Sequence, residues 1–441
     1  MAYLFIAIPI GICLLLLVRP GGVPDEVAHF YRSFQLAQGE VIGEVHDQKS
    51  GGWLPSAIDS FRNLNVRAGQ KVSWRSLWQK LFESPSVQWK ESPPKFQWTA
   101  SLYSPAAYLP QTLGVIVGKL LEWGMFPVMY LARFLNLMVA IGITFCAIRF
   151  TPTYRWGFFV LATTPMVLFM NSSVSADALT NALGLLILAL GLRYSQQESP
   201  SITRGQLAGL IALSCLMTLS KSLYILVPFC LIPLMWQALG NRRALQFSAT
   251  LVLCCVVSHL SWSMAVKNLY VPVSPHMNPS AQLAFLKTDP LHLFTALYNS
   301  LSWNHIDAYF KMYVGILGWL DIWFTPMFYV YYPICLLLVW FGFRDKTTDL
   351  NGWSRAWLSS TFLVTVLLIL TALYLTWSPV GGNLAEGFQG RYLVPLVPLL
   401  FVALKTRSRW GFTRGQGALA IGLALWSALL TVSRVIDVTY L

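Results

Sequence analysis

Two adjacent carboxylates, Asp25 and Glu26, open a polar stretch that directly follows the first apolar segment of the chain. A carboxylate at such a place can take a proton from an attacking hydroxyl group, so this pair is the first candidate for a general base. His29 lies one helical turn further on, where it could orient a carboxylate or hydrogen-bond a substrate. A lone histidine is more often a satisfied polar contact, which is the alternative for His29. The predicted catalytic residues are Asp25, Glu26 and His29.

Three cations lie at the ends of apolar segments or interrupt them, namely Arg133, Lys221 and Arg391. A guanidinium or ammonium group at the outer end of a membrane span could bind the phosphate of a lipid. For Arg133 the alternative is a side chain that extends to the lipid headgroups, and for Lys221 it is the tip of a helical hairpin. Gln389 and Gly390 precede Arg391, and the glycine would allow another backbone segment to approach closely.

Two aspartates complete the candidate binding residues. Asp177 follows the sequence SSVSA and could either join the site or cap the next helix. Asp321 stands alone among apolar residues, which is energetically unfavourable near a membrane unless the carboxylate has a partner. The predicted substrate-binding residues are Arg133, Asp177, Lys221, Asp321, Gln389 and Arg391.

A helix that begins near Pro24 would position the first of these residues. Proline suits the first turn of a helix, and the helix dipole favours acidic residues there. An apolar stripe at three- and four-residue spacing is formed by Val27, Phe30, Tyr31, Phe34 and Ala37. The residues Asp25, His29 and Arg32 lie off this stripe, on a face that is either solvated or part of a site.

The composition indicates a polytopic membrane protein. Of the 441 residues, 56% are hydrophobic and 11% are charged, against about 25% charged in typical soluble domains. The net charge of +13 comes from basic residues in short loops between apolar segments, and no nucleic-acid-binding motif is present. The seven cysteines lie in apolar segments without metal-ligand spacing, so structural zinc and a disulfide framework are not expected. No cofactor is predicted, and metal dependence stays open.

Eleven membrane spans are predicted, and residues 1–441 are expected to form one all-α membrane domain. The spans are 2–18, 128–148, 156–171, 177–192, 205–219, 222–238, 246–266, 323–343, 356–377, 391–404 and 417–433. With a cytoplasmic N-terminus, the loop arginines and lysines face the cytoplasm, provided that Leu102–Trp123 does not cross. The external face then carries a first loop of about 20–126 and a second of about 269–322. Within the first loop, residues 71–82 are expected to form an amphipathic helix in the membrane interface.

Several function classes lack a signature in the sequence. There is no phosphate-binding P-loop and no nucleophile or metal motif such as GxSxG or HExxH. Neither an internal repeat nor a pair of interrupted helices at matching positions is visible, which disfavours a secondary transporter. The candidate residues fit a reaction between a lipid-borne phosphate leaving group and a hydroxyl acceptor, since cations stabilise the phosphate while a carboxylate activates the nucleophile.

Several motifs together resemble a bacterial family of predicted membrane proteins of unknown function, the domain-of-unknown-function family 2142. They are, in order from about Pro24 to Pro398, PDEVAHFYRSFQLAQG, YSPAAYLPQ, RFLN, SSVSAD, LSKSLY, YVGILGWLD and FQGRYLVPLVP. This family is grouped with GT-C-type glycosyltransferases. The resemblance implies a GT-C-like fold with a large external first loop, and it implies that Asp25 is the acidic catalytic residue after the first span.

By this resemblance the chain is expected to be an inverting glycosyltransferase of the bacterial inner membrane. Its donor would be a polyprenyl-phosphate sugar, and its acceptor a hydroxyl of a cell-surface glycan or lipid-linked molecule, as in O-antigen modification. Membrane lipids are the other expected partners, and nucleic acid is not. A large soluble C-terminal domain is not seen after the spans, so a protein acceptor is not expected. The alternatives are a transporter or flippase of lipid-linked sugars, and a glycan polymerase or ligase with a pyrophosphate-linked donor.

Overall fold

Helices make up most of the computed structural model, which describes residues 1–58, 71, 73–76, 79, 93–196, 202–272, 274–344, 350–405 and 411–441. Those of the first half are α1 (Ala2–Leu17), α2 (Glu26–Ala37), α3 (Leu109–Leu120), α4 (Met125–Phe150), α5 (Arg155–Ala162), α6 (Pro165–Asn171), α7 (Ala176–Ser195) and α8 (Arg204–Ser220). Those of the second half are α9 (Leu231–Ala238), α10 (Asn241–Ala265), α11 (Pro279–Thr288), α12 (His292–Ser300), α13 (Trp303–Gly315), α14 (Phe328–Phe341), α15 (Gly352–Thr376), α16 (Val397–Leu404) and α17 (Gln416–Thr439). Short 3-10 helices lie at Pro105–Tyr108, Ser222–Tyr224, Val227–Cys230 and Gly390–Leu393.

Among the described residues, five helices are long and apolar enough to cross a membrane, namely α4, α7, α10, α15 and α17. Shorter apolar segments match four further predicted spans: Ala2–Leu17, Arg204–Ser220, Ser222–Ala238 and Phe328–Phe341. The predicted spans 156–171 and 391–404 are each divided, because Pro165 and Pro398 lie in the first turns of α6 and α16 and lack a backbone N–H. The prediction of a helical membrane protein is confirmed, whereas the number of eleven spans stays a prediction.

Helix α7 lies at the centre of the helix bundle. It contacts α4, α8 and α9, and 89% of its apolar stretch is buried inside the protein. Helix α10 lies at the outside, where only 22% of its apolar stretch is buried and Leu253, Val257 and Met264 are exposed. An apolar outer surface suits contact with lipid, so α10 presents a lipid-facing side while α7 holds its residues in the interior.

The first loop also contains a three-stranded antiparallel sheet, which the sequence did not predict within the otherwise helical membrane protein. Its strands, in spatial order, are β1 (Glu44–His46), β2 (Lys49–Pro55) and β3 (Pro94–Trp98). Asp47 and Gln48 connect β1 to β2 with φ angles of 45° and 56°, the backbone of a tight two-residue hairpin. The Trp53 and Phe96 rings pack across β2 and β3 with centroids 5.5 Å apart. These strands are short and β2 contains two glycines, so their alternation is too weak to stand out in the sequence.

Two expectations about the first loop have different outcomes. The segment Leu102–Trp123 contains α3, whose 12 residues fall well short of the ~20 needed to cross a bilayer. This length agrees with the expectation that the segment does not cross. The amphipathic helix predicted over residues 71–82 lies largely outside the described residues.

Helix α2 packs its apolar stripe against neighbouring elements of the first loop and α4. All five residues of the predicted stripe belong to this apolar cluster or pack against it, which confirms the stripe. The opposite face is not solvated, because His29 and Arg32 are both buried. The Arg32 guanidinium donates to Gln35 Oε1 and to the carbonyls of Val41 and Tyr103. The polar face of α2 is therefore covered by the first loop and not by water.

Candidate functional site

Asp25 and Glu26 take part in two separate ionic contacts. Helix α2 begins at Glu26, so Pro24 lies before the helix and not in its first turn as predicted. Asp25 has φ 64° and ψ 1°, a left-handed conformation that is uncommon outside glycine, and its side chain caps no helix N–H. The Asp25 carboxylate accepts a hydrogen bond from Arg391 at 2.9 Å, whereas Glu26 pairs with Arg133 at 2.7 Å. The two adjacent carboxylates, which were expected to act as one catalytic pair, thus contact two different arginines.

Four residues form a chain of alternating charges, which we call the open cluster: Asp25, Arg391, Asp177 and Lys221. Lys221 Nζ donates to Asp177 Oδ1 at 2.5 Å, and the Arg391 guanidinium lies 3.7 Å from Asp177 Oδ2. The same guanidinium donates to Asp25 Oδ2 at 2.9 Å. Asp177 does not cap α7, because Ser175 Oγ accepts the Asp177 N–H. One predicted catalytic residue and three predicted binding residues are therefore linked.

The open cluster is accessible at its Asp25 end. Asp177, Lys221 and Arg391 are buried, whereas 45% of the Asp25 side chain is exposed. Within the described part of the chain, Asp25 Oδ1 accepts no hydrogen bond and the buried Arg391 Nε has no hydrogen-bond partner. Buried donors without partners are rare in native proteins, so this N–H stands out as an unsatisfied group of the open cluster.

Tyrosine rings lie beside the two cations of the open cluster. Lys221 Nζ lies 4.8 Å from the ring centroid of Tyr392 and 5.8 Å from that of Tyr224. The Arg391 guanidinium lies 5.6 Å from the Tyr392 centroid, and the Tyr224 hydroxyl donates to the Tyr392 carbonyl at 3.0 Å. Ring faces attract cations, so these contacts offset part of the desolvation of the two side chains. Neither tyrosine was predicted, although each follows a predicted cation by one or three residues.

His29 lies beside the open cluster, one turn along α2 from Asp25, and is 5% exposed. Its Nδ1 shares a hydrogen bond of 2.6 Å with the Tyr108 hydroxyl, and Tyr103 packs edge-on with ring centroids 5.6 Å apart. Burial lowers the pKa of His29 to about 4, although the negative charges of Asp25 and Asp177 oppose this shift. His29 is therefore neutral at physiological pH. Both tyrosines belong to the motif YSPAAYLPQ, but nothing in the sequence marks them as site residues.

Ends and breaks of helices bring the open cluster together. Asp177 lies in the first turn of α7, Lys221 directly follows α8 in an extended conformation, and Arg391 lies in a 3-10 helix. Gly390 permits this last placement, since a Cβ atom there would lie 2.2 Å from the backbone nitrogen of Tyr313 in α13. The expectation that this glycine allows close backbone approach is confirmed.

Glu26 and Arg133 form a buried and fully hydrogen-bonded ion pair, which we call the closed pair. Both side chains are 0% exposed, and Arg133 Nε and one terminal nitrogen each donate to a Glu26 oxygen at 2.7 Å. The other three N–H groups of Arg133 donate to carbonyls at the end of α1, those of Leu15, Val18 and Arg19. Glu26 also accepts the backbone N–H groups of Gly21 and Val174. This geometry favours a structural role over the predicted catalytic role of Glu26 and the predicted phosphate-binding role of Arg133.

Asp321 and Gln389 lie outside the ionic contacts of the open cluster. Asp321 lines a cavity of about 20 Å³ beside Arg19 and Gly22, and its buried Oδ1 has no hydrogen-bond partner among the described residues. Gln389 lines a smaller cavity of about 10 Å³ together with Arg391. Gln389 is therefore next to the open cluster, whereas Asp321 belongs to a different cavity.

Long apolar helices with exposed outer faces define a helical membrane protein, and the open cluster is a densely charged site within it. In the described ranges, no group of three or more His, Cys, Asp or Glu side chains could hold a metal ion. The chain belongs to the family described as Predicted membrane protein (DUF2142), whose family model matches residues 9–400. The family assignment made from the motifs is confirmed, and the likeness to GT-C glycosyltransferases stays a prediction. No curated protein and no solved structure matches the chain.

Proposed function

We propose that this protein is a membrane glycosyltransferase, which transfers a sugar from a polyprenyl-phosphate donor to a hydroxyl of a cell-surface glycan or lipid-linked acceptor. One observation carries this proposal: the open cluster places a carboxylate with a free oxygen beside a buried arginine with a free N–H. A free carboxylate oxygen can accept a proton, and a free guanidinium N–H can bind a phosphate oxygen. Both groups are needed at one place when a hydroxyl displaces a phosphate.

In the proposed reaction, the acceptor hydroxyl oxygen attacks the anomeric carbon of the donor while its proton passes to Asp25 Oδ1. The bond between the anomeric carbon and the phosphate oxygen breaks, and its electron pair leaves with the polyprenyl phosphate. Arg391 and Lys221 stabilise the negative charge that develops on this phosphate. Asp177 contacts both cations and holds them in position. Such a single displacement inverts the configuration at the anomeric carbon.

The ends of α7 and α8 support an external position for the open cluster. These helices are neighbours in the bundle, and Asp177 at the start of α7 contacts Lys221 at the end of α8. Arg193 and Arg204 therefore lie at the opposite ends of the two helices. Because arginines near span ends favour the cytoplasmic side, we place the open cluster on the external face of a bacterial inner membrane, with the N-terminus in the cytoplasm.

The helix breaks favour a second candidate, a transporter of lipid-linked sugars. Lys221 and Arg391 lie where 3-10 turns interrupt apolar helices, and interrupted helices form the substrate sites of many secondary transporters. Transport needs no group that takes a proton from a substrate hydroxyl, whereas Asp25 Oδ1 is available for this step. We therefore prefer the enzyme.

Purified full-length protein without an ion gradient distinguishes the candidates. With undecaprenyl-phosphate hexoses as donors and lipid-linked oligosaccharide as acceptor, an enzyme releases undecaprenyl phosphate and forms an inverted glycosidic bond. Movement of the intact donor across a vesicle membrane, without release of undecaprenyl phosphate, supports the transporter. Turnover restricted to pyrophosphate-linked donors supports a polymerase or ligase. The matched control is Asp307→Asn, because Asp307 is a half-exposed aspartate that pairs with Lys311 at 2.5 Å outside the open cluster. This variant should release undecaprenyl phosphate at the wild-type rate.

A further inference from the structure

The hydrogen bond between His29 and Tyr108 fixes where the imidazole carries its proton. Tyr108 is fully buried, and its hydroxyl has no other hydrogen-bond partner in the described part of the chain. If Nδ1 carried the proton and donated it, the tyrosine hydroxyl proton would have no acceptor, which costs about 1–3 kcal/mol. If the hydroxyl donates to Nδ1, both groups are satisfied. The proton of the neutral ring therefore lies on Nε2.

The Nε2–H of His29 is a donor without a partner among the described residues. The ring is 5% exposed, and Nε2 makes no hydrogen bond with the described residues. The backbone N–H of His29 donates to the Asp25 carbonyl at 3.0 Å, and the imidazole interacts electrostatically with all four residues of the open cluster. The open cluster thus has a second unpaired donor beside it, in addition to Arg391 Nε.

We propose that His29 is a positioning residue whose Nε2–H donates a hydrogen bond to an uncharged oxygen of the donor sugar, either a hydroxyl or the ring oxygen. This assignment rests on the proposed function. The uncharged Nε2–H group suits a hydrogen bond to an uncharged oxygen, while the cations Lys221 and Arg391 match the charge of the phosphate. Since Nε2 already carries a proton, His29 does not accept one from the acceptor hydroxyl, and Asp25 remains the base. Of the two roles that the sequence left open for His29, this is the hydrogen bond to a substrate and not the orientation of a carboxylate.

The tautomer is tested by nitrogen NMR of the full-length protein with isotope-labelled histidine, at neutral pH in detergent. The His29 signals are assigned by their absence in His29→Gln. We expect a protonated Nε2 and an unprotonated Nδ1 in the wild type, and a mixture of both tautomers in Tyr108→Phe, which removes the hydroxyl. A ring protonated on Nδ1 alone, or on both nitrogens, overturns the proposal.

The binding role is tested by the kinetics of sugar transfer. His29→Ala should raise KM for the donor about five- to tenfold with little change in kcat, because one hydrogen bond to a neutral oxygen is lost. His29→Gln keeps an N–H donor and should restore KM within about twofold of the wild type, with an unchanged pH profile. The exposed His276 provides the control variant His276→Gln. A fall of kcat in His29→Gln, or loss of the acidic limb of its pH profile, overturns the positioning role. If no sugar is transferred at all, the proposed function fails, while the NMR result still decides the tautomer.

Discussion

Asp25 and Glu26 are neighbours in the sequence and each pairs with a buried arginine, but the two contacts differ in how completely they are satisfied. In the closed pair, all five N–H groups of Arg133 donate hydrogen bonds, and each Glu26 oxygen accepts two. In the open cluster, Arg391 donates to Asp25, makes a longer ionic contact to Asp177 and has a buried Nε without a partner.

This difference separates structure from function. The free-energy cost of removing two charges from water is offset only when the geometry of the pair is good and the remaining donors and acceptors are satisfied. The closed pair meets this condition and joins α1, α2 and α4. The open cluster leaves a donor on Arg391 and an acceptor on Asp25 unused, and unsatisfied groups at a charged, partly buried site are typical of substrate binding.

Removing the negative charge from the closed pair should have the largest effect. Glu26→Gln leaves the buried Arg133 guanidinium without a counter-ion, and loss of one partner of a buried pair costs about 3–5 kcal/mol of stability. We expect a small monodisperse fraction in size-exclusion chromatography and a strongly lowered melting temperature. Asp25→Asn should stay close to the wild type in both measurements. Equal destabilisation by the two variants would remove the distinction between the two contacts.

Acidification should lower the stability of the protein through His29, which lies beside the open cluster. The pKa of His29 is lowered from 6.5 to about 4 by burial, so the unfolded chain binds this proton first as the pH falls. The stability is unaffected above about pH 6.5 and decreases as the pH falls toward about 4, by roughly 3 kcal/mol from this residue. Glutamine does not titrate, so the melting temperature of His29→Gln should fall less than that of the wild type over this pH range. Equal acid sensitivity of both proteins would show that His29 is not the responsible group.

The same conservative exchange at the two arginines should give different results. Lysine has three donors, so Arg133→Lys leaves at least two acceptors of the closed pair unpaired and should destabilise by about 2 kcal/mol. Arg391→Lys can keep the contact with Asp25, so its melting temperature should not change. The loss of the planar fork should instead raise KM for the donor about tenfold. The reverse pattern, with KM affected at Arg133 and stability at Arg391, would invert the assignment.

The smallest predicted effect is a gain in phosphate affinity. Asp25 competes with a ligand phosphate for Arg391, and a half-exposed pair contributes up to about 1 kcal/mol. Asp25→Asn should therefore bind a short-chain prenyl phosphate up to about fivefold more tightly than the wild type, as measured by titration calorimetry in detergent. Asp307→Asn should bind like the wild type. Weaker binding by Asp25→Asn would mean that Asp25 supports the phosphate site instead of competing for it.

Local features of the site could be predicted from the sequence. The apolar stripe of α2 was predicted from the three- and four-residue spacing of its residues. The close backbone approach at Gly390 was predicted from the absence of a side chain there. Lys221 and Arg391 stand out because a cation within an apolar segment is costly. These signals depend only on neighbouring residues, which is why the sequence contains them.

The partners of these residues could not be predicted. Glu26 pairs with a residue 107 positions away and Asp25 with one 366 positions away. Only the tertiary structure therefore shows that the two acids belong to different ionic contacts. The burial of His29 likewise depends on Tyr103 and Tyr108, which come from a distant part of the first loop. Adjacent acids in a sequence therefore indicate a site without showing which acid serves it.

The central claim is that Asp25, and not Glu26, is the proton acceptor, and the most direct test measures undecaprenyl phosphate release by purified Asp25→Asn. We expect the rate to fall by about 10²–10⁴-fold, the usual contribution of a general base, while the melting temperature is retained and binding of the donor phosphate is not weakened. The control Asp307→Asn should release at the wild-type rate. A wild-type rate in Asp25→Asn would contradict the account.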